Sequence, residues 1–173
     1  GASAANLVTF QSDPGNATAP IIAPTSYSGG QYTVRLNGAH GVTFDGLTIK
    51  SAYYQKFIIF RLAVSDITFN NCTLEQYSNQ YPTFEASSDP GRDLVSITIT
   101  NNTINKGYGV VNLPASNTLN STFIFNGNTI TNAAGYVLSI SYWDIVEINN
   151  NTSSAYGTFL SGASGWNDME VNN

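Results

Sequence analysis

The stretches "ITFNNCTLE" at 67–75 and "ITITNNTIN" at 97–105 share one pattern of residues. Each has apolar residues at its first and third positions, Asn at its fifth, Thr at its seventh and an apolar residue at its eighth. Alternating apolar residues are typical of a strand with one buried face. Asn and Gly adopt a positive φ more readily than other residues, so a fifth position limited to them predicts a sharp corner. The two stretches therefore indicate one structural unit that occurs twice.

The same pattern recurs along the rest of the chain. Further copies are "VTFDGLTIK" at 42–50, "FIFNGNTIT" at 123–131, "VEINNNTSS" at 146–154 and the short "MEVNN" at 169–173. Successive copies begin 25, 30, 26, 23 and 23 residues apart, which is too irregular for propeller blades and suits stacked coils with loops of variable length. The residues expected to form the structural corner are Gly46, Asn71, Asn101, Gly127 and Asn150.

A further apolar segment lies between most copies, at 32–38, 57–63, 108–114, 136–142 and 156–162. Each unit is then a strand, a corner, a short strand, a loop and another strand. One such coil cannot bury its inner face, so coils must stack at ~4.8 Å with like residues above like. Stacked Asn residues at the corner can form a ladder of side-chain amides. We predict an all-β fold, a right-handed parallel β-helix (solenoid) of about six to seven coils of 23–30 residues.

The predicted organisation is a lead-in coil at 1–41 followed by β-helix coils at 42–173. The last copy stops at its corner residue, so we expect a C-terminally truncated chain that can associate end to end with another copy. The coils at 42–173 begin at Val42, Ile67, Ile97, Phe123, Val146 and Met169.

Charge and composition exclude several classes of function. The net charge is −5 and the six basic residues are scattered, so the basic patch that a nucleic acid requires is missing. No apolar run is long enough to insert in a membrane. A single cysteine, Cys72, excludes an internal disulfide, and we expect its thiol to point inward or to be half-buried.

The Asn-rich corner, the coil length and the Val/Ile/Phe columns resemble the pectin-lyase-like superfamily. The segments "VTFQSDPGNAT" at 8–18 and "YTVRLNGAHGVTFDGLTIKS" at 32–51 resemble β-helix regions of secreted and surface proteins of Bacteroidetes-like bacteria. The resemblance implies a secreted or cell-surface location. It implies no single chemistry, because that superfamily includes lyases, hydrolases, epimerases, tailspikes and adhesins.

Polysaccharide enzymes of this fold place carboxylates on adjacent coils of one outer face, with a basic residue nearby. The outward second and fourth positions of the unit show no such group, because Glu147 and Glu170 lie one coil apart without a neighbouring base. We therefore predict no catalytic residue, no metal site and no cofactor. Candidate ligand-binding residues on this outward face are Asp45, Asn70, Thr98, Thr100, Glu147 and Glu170.

The single histidine and the tyrosines are further candidates for a functional role. His40 lies between glycines in a turn, and no serine or cysteine nucleophile with an acid partner can be assigned to it. Tyrosines recur near the start of the later strand of each unit, and they either stack at the edge of the core or offer exposed faces to sugars. They are Tyr53, Tyr77, Tyr108, Tyr136 and Tyr156.

The sequence thus favours a non-catalytic β-helix segment of a larger secreted or cell-surface bacterial protein. Its role would be that of a structural spacer, an adhesin or a carbohydrate-contact scaffold, with a polysaccharide or cell-surface glycan as partner. The alternative is a fragment of a polysaccharide lyase or glycoside hydrolase whose catalytic coils lie elsewhere, so enzymatic activity stays open.

Overall fold

A computed structural model describes residues 7–13, 15, 18–24, 32–52, 54–88, 93–115, 120–154, 157–164 and 168–172. Among these residues no helix is long and apolar enough to cross a membrane. The described strands, in chain order, are β1 (Val8–Gln11), β2 (Ile21–Ile22), β3 (Tyr32–Asn37), β4 (His40–Asp45), β5 (Thr48–Lys50), β6 (Lys56–Arg61), β7 (Ala63–Asn70), β8 (Thr73–Glu75), β9 (Phe84–Ala86), β10 (Asp93–Leu94), β11 (Ser96–Thr100), β12 (Thr103–Asn105), β13 (Gly109–Pro114), β14 (Thr122–Asn126), β15 (Thr129–Thr131), β16 (Tyr136–Ser141), β17 (Ile145–Asn149), β18 (Thr152–Ser154), β19 (Thr158–Ser164) and β20 (Asp168–Asn172).

These strands form three parallel sheets that run along the molecule. Sheet A has the order β1-β4-β7-β11-β14-β17-β20, with β10 beside β7; sheet B has β18-β15-β12-β8-β5-β2; and sheet C has β19-β16-β13-β9-β6-β3. Each coil contributes one strand to each sheet in turn, which is the predicted strand, corner, short strand and strand. The predicted all-β class and parallel β-helix are therefore confirmed.

The described part has about five turns, slightly fewer than the six to seven expected. The first coil contributes little to sheet B, because its strand there, β2, has only two residues. The lead-in nevertheless pairs directly with the next coil, with Val8 opposite Val42 and Phe10 opposite Phe44. The division of the chain at residues 41 and 42 stays a prediction, since sheet A runs through it without a break.

The core consists of columns of side chains that repeat from coil to coil. The first and third positions of the unit point inward along sheet A, and the rings of Phe44 and Phe69 stack with centroids 4.6 Å apart. In-register pairing produces these columns, because Phe44 lies opposite Phe69 and Phe69 opposite Ile99. The fully buried members of the sheet A columns are Ile67, Phe69, Ile97, Ile99, Phe123, Phe125, Val146 and Ile148.

The corner that follows each sheet A strand has the predicted conformation at all five residues that were predicted to form it. Its φ angles are 66° at Gly46, 52° at Asn71, 57° at Asn101, 68° at Gly127 and 57° at Asn150. All of these lie in the left-handed region that Gly and Asn tolerate best. Gly127 has a second reason, since a Cβ there would lie 2.6 Å from the Asn101 side-chain oxygen.

A ladder of stacked asparagine amides is present, but the buried one lies one residue later than expected, at the sixth position of the unit. Asn102 Nδ2 donates to Asn128 Oδ1 at 3.0 Å, and Asn128 Nδ2 donates to Asn151 Oδ1 at 3.1 Å. These amides also bind the backbone: Asn128 Nδ2 donates to the Ile99 carbonyl at 2.9 Å, and its Oδ1 accepts the Asn102 N–H at 3.0 Å.

The shift of the ladder follows from the corner itself. A residue with a left-handed backbone conformation at the fifth position directs its own side chain outward. The side chain of the next residue then points toward the core. Asn71, Asn101 and Asn150 are accordingly exposed, whereas Asn102 and Asn128 are buried.

Sheet C contains a strand that the sequence did not predict. β9 has only three residues and follows the long segment 76–83, which side chains tie to its neighbours. Gln76 Nε2 donates to the Tyr81 carbonyl at 2.8 Å, and Thr83 Oγ1 donates to Gln76 Oε1 at 3.2 Å. Asn79 Oδ1 accepts the N–H of Gly107 in the next coil at 2.8 Å. The longest coil therefore rejoins the common register despite its extra residues.

The ladder gives the first prediction. Replacing Asn128 by Ala removes partners from the buried Asn102 N–H and from the Ile99 carbonyl. A buried polar group left without a partner costs about 1–3 kcal/mol, so we expect Asn128→Ala to lower the free energy of unfolding by at least about 2 kcal/mol. Urea unfolding measures this change. The control is Thr129→Ala, an exposed neighbour that should change stability by less than about 0.5 kcal/mol. Equal losses in the two variants would show that the ladder does not stabilise the fold.

Candidate functional site

The candidate residues of the sequence all lie on the outer face of sheet A. Asp45, Asn70 and Thr100 occupy one column in successive coils, and Thr98 lies two residues before Thr100 in the parallel column. Their side chains are half-buried, in alternation with the buried core residues of the same strands. The outward direction assigned to them is thus the one observed, while a binding role for them stays a prediction.

On this face, polar side chains of β4, β7 and β11 bind one another. Asn70 Nδ2 donates to Asp45 Oδ1 at 2.9 Å, while Thr100 Oγ1 donates to Asn70 Oδ1 at 3.1 Å. Asn101 Nδ2 also donates to Asn70 Oδ1, at 3.2 Å. The polar groups are therefore engaged between coils, and they act as side-chain links of the solenoid.

The two glutamates of this face lie on β17 and β20. Glu147 and Glu170 are register partners, so their side chains leave adjacent strands at the same level. Asn172 Nδ2 donates to Glu170 Oε1 at 2.6 Å. No group of three or more His, Cys, Asp or Glu side chains within the described ranges is placed to hold a metal ion.

The structure gives His40 partners that the sequence did not indicate. His40 is the first residue of β4, and its Nδ1 lies 2.8 Å from the Ser65 hydroxyl oxygen. Ser65 in turn donates its proton to Asp66 Oδ2 at 2.9 Å. Because a hydroxyl has one proton, the His40 Nδ1–H must donate to Ser65. The imidazole is then not placed to take a proton from Ser65, so this chain of contacts is not an activated nucleophile.

Cys72 occupies the sixth position of its unit, at the end of the amide ladder. Its backbone N–H donates to Asn102 Oδ1 at 2.9 Å, and its Sγ donates to the Asn70 carbonyl at 3.2 Å. Burial raises the pKa of the Cys72 thiol above its ordinary value, and backbone hydrogen bonds only partly offset this effect. The expected buried thiol is confirmed, and such a thiol is a poor nucleophile.

Tyrosine rings line the corner between sheets B and C; we call Tyr54, Tyr77, Tyr108 and Tyr136 the tyrosine rim. Tyr54 and Tyr77 meet edge to face with centroids 5.2 Å apart, and so do Tyr108 and Tyr136 at 5.9 Å. Tyr54, Tyr77 and Tyr108 are 57%, 50% and 52% exposed. Of the two alternatives for the predicted series, Tyr77 and Tyr108 fit the one in which the rings face solvent, while Tyr136 is half-buried beside Tyr108.

The alternation of buried and less buried residues is interrupted at the start of β16. Val137 and Leu138 are both buried, although they are consecutive, and Tyr136 before them is half-buried. Tyr54, Tyr77 and Tyr108 lie before the sheet C strands rather than in them. Two further tyrosines of the predicted series, Tyr53 and Tyr156, lie outside the described residues.

An ion pair lies on the outer face of sheet C, next to the rim. Lys56 Nζ is 2.6 Å from Glu85 Oε1, and the two side chains are only 35% and 16% exposed. Burial, first, and then the charge of Glu85 and the nearby Tyr108 raise the pKa of Tyr136. The rim and the ion pair are thus neighbours.

The ion pair between Lys56 and Glu85 was not predicted from the sequence, because Glu85 lies on β9, the strand that was not predicted. The alternation "FEA" at 84–86 was the pattern that could have identified it, since Phe84 and Ala86 are buried on either side of Glu85.

Comparison with known proteins adds one finding. A family model described as "Right handed beta helix region" matches residues 26–173. No curated protein and no solved structure matches the chain.

The second prediction concerns Cys72. Because the thiolate is the reactive form and burial disfavours it, we expect a thiol-specific disulfide reagent at pH 8 to label the folded protein far more slowly than the urea-unfolded chain. The absorbance of the released thiolate follows the reaction. Labelling of the folded protein at the rate of the unfolded chain would show that Cys72 is accessible, and the Asn128→Ala variant provides a loosened corner for comparison.

Proposed function

Since the chain belongs to the right-handed β-helix family, we propose that it is a rigid scaffold that contacts polysaccharide through the tyrosine rim. The proposed setting is a larger bacterial protein that is secreted or exposed at the cell surface, where the segment acts as spacer and adhesin. A place in the pectin-lyase-like superfamily, and an origin in Bacteroidetes-like bacteria, are parts of the same proposal.

The exposure of the rim is the single observation that supports glycan contact best. Tyr54, Tyr77 and Tyr108 lie on three successive coils and keep about half of their surface in solvent. Aromatic rings offer a large apolar face and a polar hydroxyl at low conformational cost, which suits the mixed surface of a sugar. The edge contacts within the rim restrict the rings before a ligand arrives, and this preorganisation favours binding.

The outer face of sheet A supports a structural role. The polar side chains on its strands β4, β7 and β11 bind one another between coils, as Asn70 and Asp45 do. The two glutamates of this face, Glu147 and Glu170, have no lysine or arginine at their own outward positions in the register. These features favour the scaffold over a lyase or hydrolase active on this face.

The third prediction tests the rim. Native gel electrophoresis with polysaccharides embedded in the gel measures binding as retardation. We expect Tyr77→Ala and Tyr108→Ala each to weaken retardation by at least about tenfold in Kd, which corresponds to about 1.4 kcal/mol. The matched control is Tyr142→Ala, because Tyr142 is 47% exposed but follows the last residue of β16, away from the rim residue Tyr136 at its start.

Three outcomes contradict the proposal. One is that no polysaccharide, neutral or acidic, retards the chain. Another is that Tyr142→Ala weakens retardation as much as the rim variants do. The third is release of reducing ends or of unsaturated products from the embedded polysaccharide, which would favour the lyase or hydrolase alternative.

End-to-end self-association is a separate part of the proposal. Sheet A exposes apolar side chains at both of its outer strands: Val8 is 41% and Phe10 49% exposed on β1, and Val171 is 45% exposed on β20. The same inward positions stack in register inside the solenoid, as with Ile148 and Val171. A second copy can therefore continue the columns by placing its β1 beside β20.

The fourth prediction follows from these two strands. In sedimentation equilibrium we expect the average mass to rise with concentration, and Phe10→Asp to prevent the rise because it places a charge in the contact. Ile145→Asp is the control, since Ile145 is 40% exposed on a strand inside the stack. A monomer at every concentration would contradict this self-association.

A further inference from the structure

One carboxylate oxygen on the outer face of sheet C has no donor among the residues that the structure describes. Lys56 Nζ binds Glu85 Oε1 at 2.6 Å, whereas Glu85 Oε2 is shielded from solvent and has no hydrogen-bond partner in that part of the chain. Buried polar atoms are nearly always paired, and an unpaired one in a folded protein requires an explanation. The Lys56 ammonium is already engaged with Oε1, so a donor from outside the chain is the simplest partner for Oε2.

The wall beside this oxygen is shaped by a glycine. A Cβ on Gly109 would lie 2.2 Å from the ring of Tyr136, so only the absence of a side chain allows the ring to lie there. In the register of sheet C, Gly109 is the direct neighbour of Tyr136. The Gly109 carbonyl in turn accepts the N–H of Thr83 at 3.0 Å, so the ring lies next to the strand that carries Glu85, two residues further on. Burial, first, and then the charge of Glu85 raise the pKa of the Tyr136 phenol.

An exposed aromatic face completes the group. The Tyr108 ring meets Tyr136 edge to face at 5.9 Å and is 52% exposed. A hydrogen-bond acceptor, a phenol hydroxyl and a free aromatic face thus lie together at one end of the tyrosine rim. Aromatic stacking combined with a few directed hydrogen bonds is how sites of this kind fix the orientation of a ligand.

We propose that Glu85, Tyr136 and Tyr108 form a subsite for an uncharged pyranose unit of a polysaccharide. The apolar face of the sugar packs on Tyr108, and one or two of its hydroxyls donate to Glu85. This inference rests on the proposed glycan contact and adds the class of sugar to it.

The charges of the group decide between neutral and acidic sugars. Lys56 and Glu85 neutralise each other, and Lys50 is likewise paired with Glu75, at 2.7 Å. Lys106 Nζ donates to the Tyr77 carbonyl at 3.4 Å. A uronic acid would bring its carboxylate to Glu85 on a chain of net charge −5, where the charge of the Lys56 ammonium is already neutralised by Glu85. A neutral sugar supplies only hydroxyl donors, which is what the unpaired oxygen lacks.

Access to the oxygen follows from the side chain of Glu85. That side chain is 16% exposed, and the terminal torsion of glutamate is broad and roughly two-fold. A partial rotation about it turns Oε2 toward the exposed side and lengthens the contact between Lys56 Nζ and Oε1, whereas a full exchange of the two oxygens would leave the free one in the same shielded position.

The fifth prediction uses galactomannan, xyloglucan and mixed-linkage β-glucan as neutral probes and polygalacturonate as the acidic probe. We expect at least one neutral probe to bind more tightly than polygalacturonate, and Glu85→Gln to raise the Kd for that probe at least tenfold. The matched control is Glu75→Gln, which removes the acid of the other Lys–Glu pair and should leave the Kd unchanged. Thermal unfolding followed by circular dichroism checks that each variant is folded. Tyr136→Phe, which keeps the ring on Gly109 and removes only the hydroxyl, is the second variant and should also weaken binding.

The outcomes separate this inference from the proposed function. If Tyr77→Ala abolishes binding while Glu85→Gln and Tyr136→Phe bind like the unaltered chain, the subsite is wrong and glycan contact stands. Binding of polygalacturonate in preference to every neutral probe also overturns the subsite alone. If no probe binds, the proposed function fails and the subsite fails with it.

Discussion

The structure depends on one constraint, which is that every coil must present its backbone to the next coil in the same register. Within the described ranges no strand pairs with its neighbour in sequence by a hairpin, because the pairings in the three sheets are parallel and run from coil to coil. The corners obey the same rule: the Asn71 N–H donates to the Thr100 carbonyl at 3.1 Å, and the Asn101 N–H to the Asn126 carbonyl at 2.9 Å. A coil that changes its path would lose these bonds to both neighbours at once.

Register turns a sequence pattern into columns, and each column has its own chemistry. Inward positions become apolar columns, the sixth position becomes an amide ladder, and outward positions become rows of polar groups that bind one another. Candidate sites arise only where a side chain departs from its row. Tyr136, which leans over Gly109 toward the Glu85 carboxylate, is such a departure, and Lys56 reaching Glu85 is another.

The parts of the fold that could be predicted are those with a local and repeated cause. Alternation gave the buried face of sheet A, and the restriction of the fifth position to Gly and Asn gave the left-handed corner. Predicting the position of the buried ladder would have required the direction in which each side chain points after that corner. The sequence alone does not show this direction. Glu85 was missed because three residues are too few to show a period. The sequence did not decide between the two alternatives for the tyrosines, because Tyr77 and Tyr108 lie before the sheet C strands, where no alternation applies.

The sixth-position column changes character along the molecule, since it starts with Leu47 and Cys72 and continues with Asn102, Asn128 and Asn151. The first two are buried and apolar, whereas the later ones are joined by amide hydrogen bonds. Hydrophobic burial weakens on cooling, and hydrogen bonds do not share that dependence. The two ends of a single row of residues therefore respond differently to temperature: cooling weakens the interaction that stabilises the Leu47 end, whereas the asparagine end depends on amide hydrogen bonds.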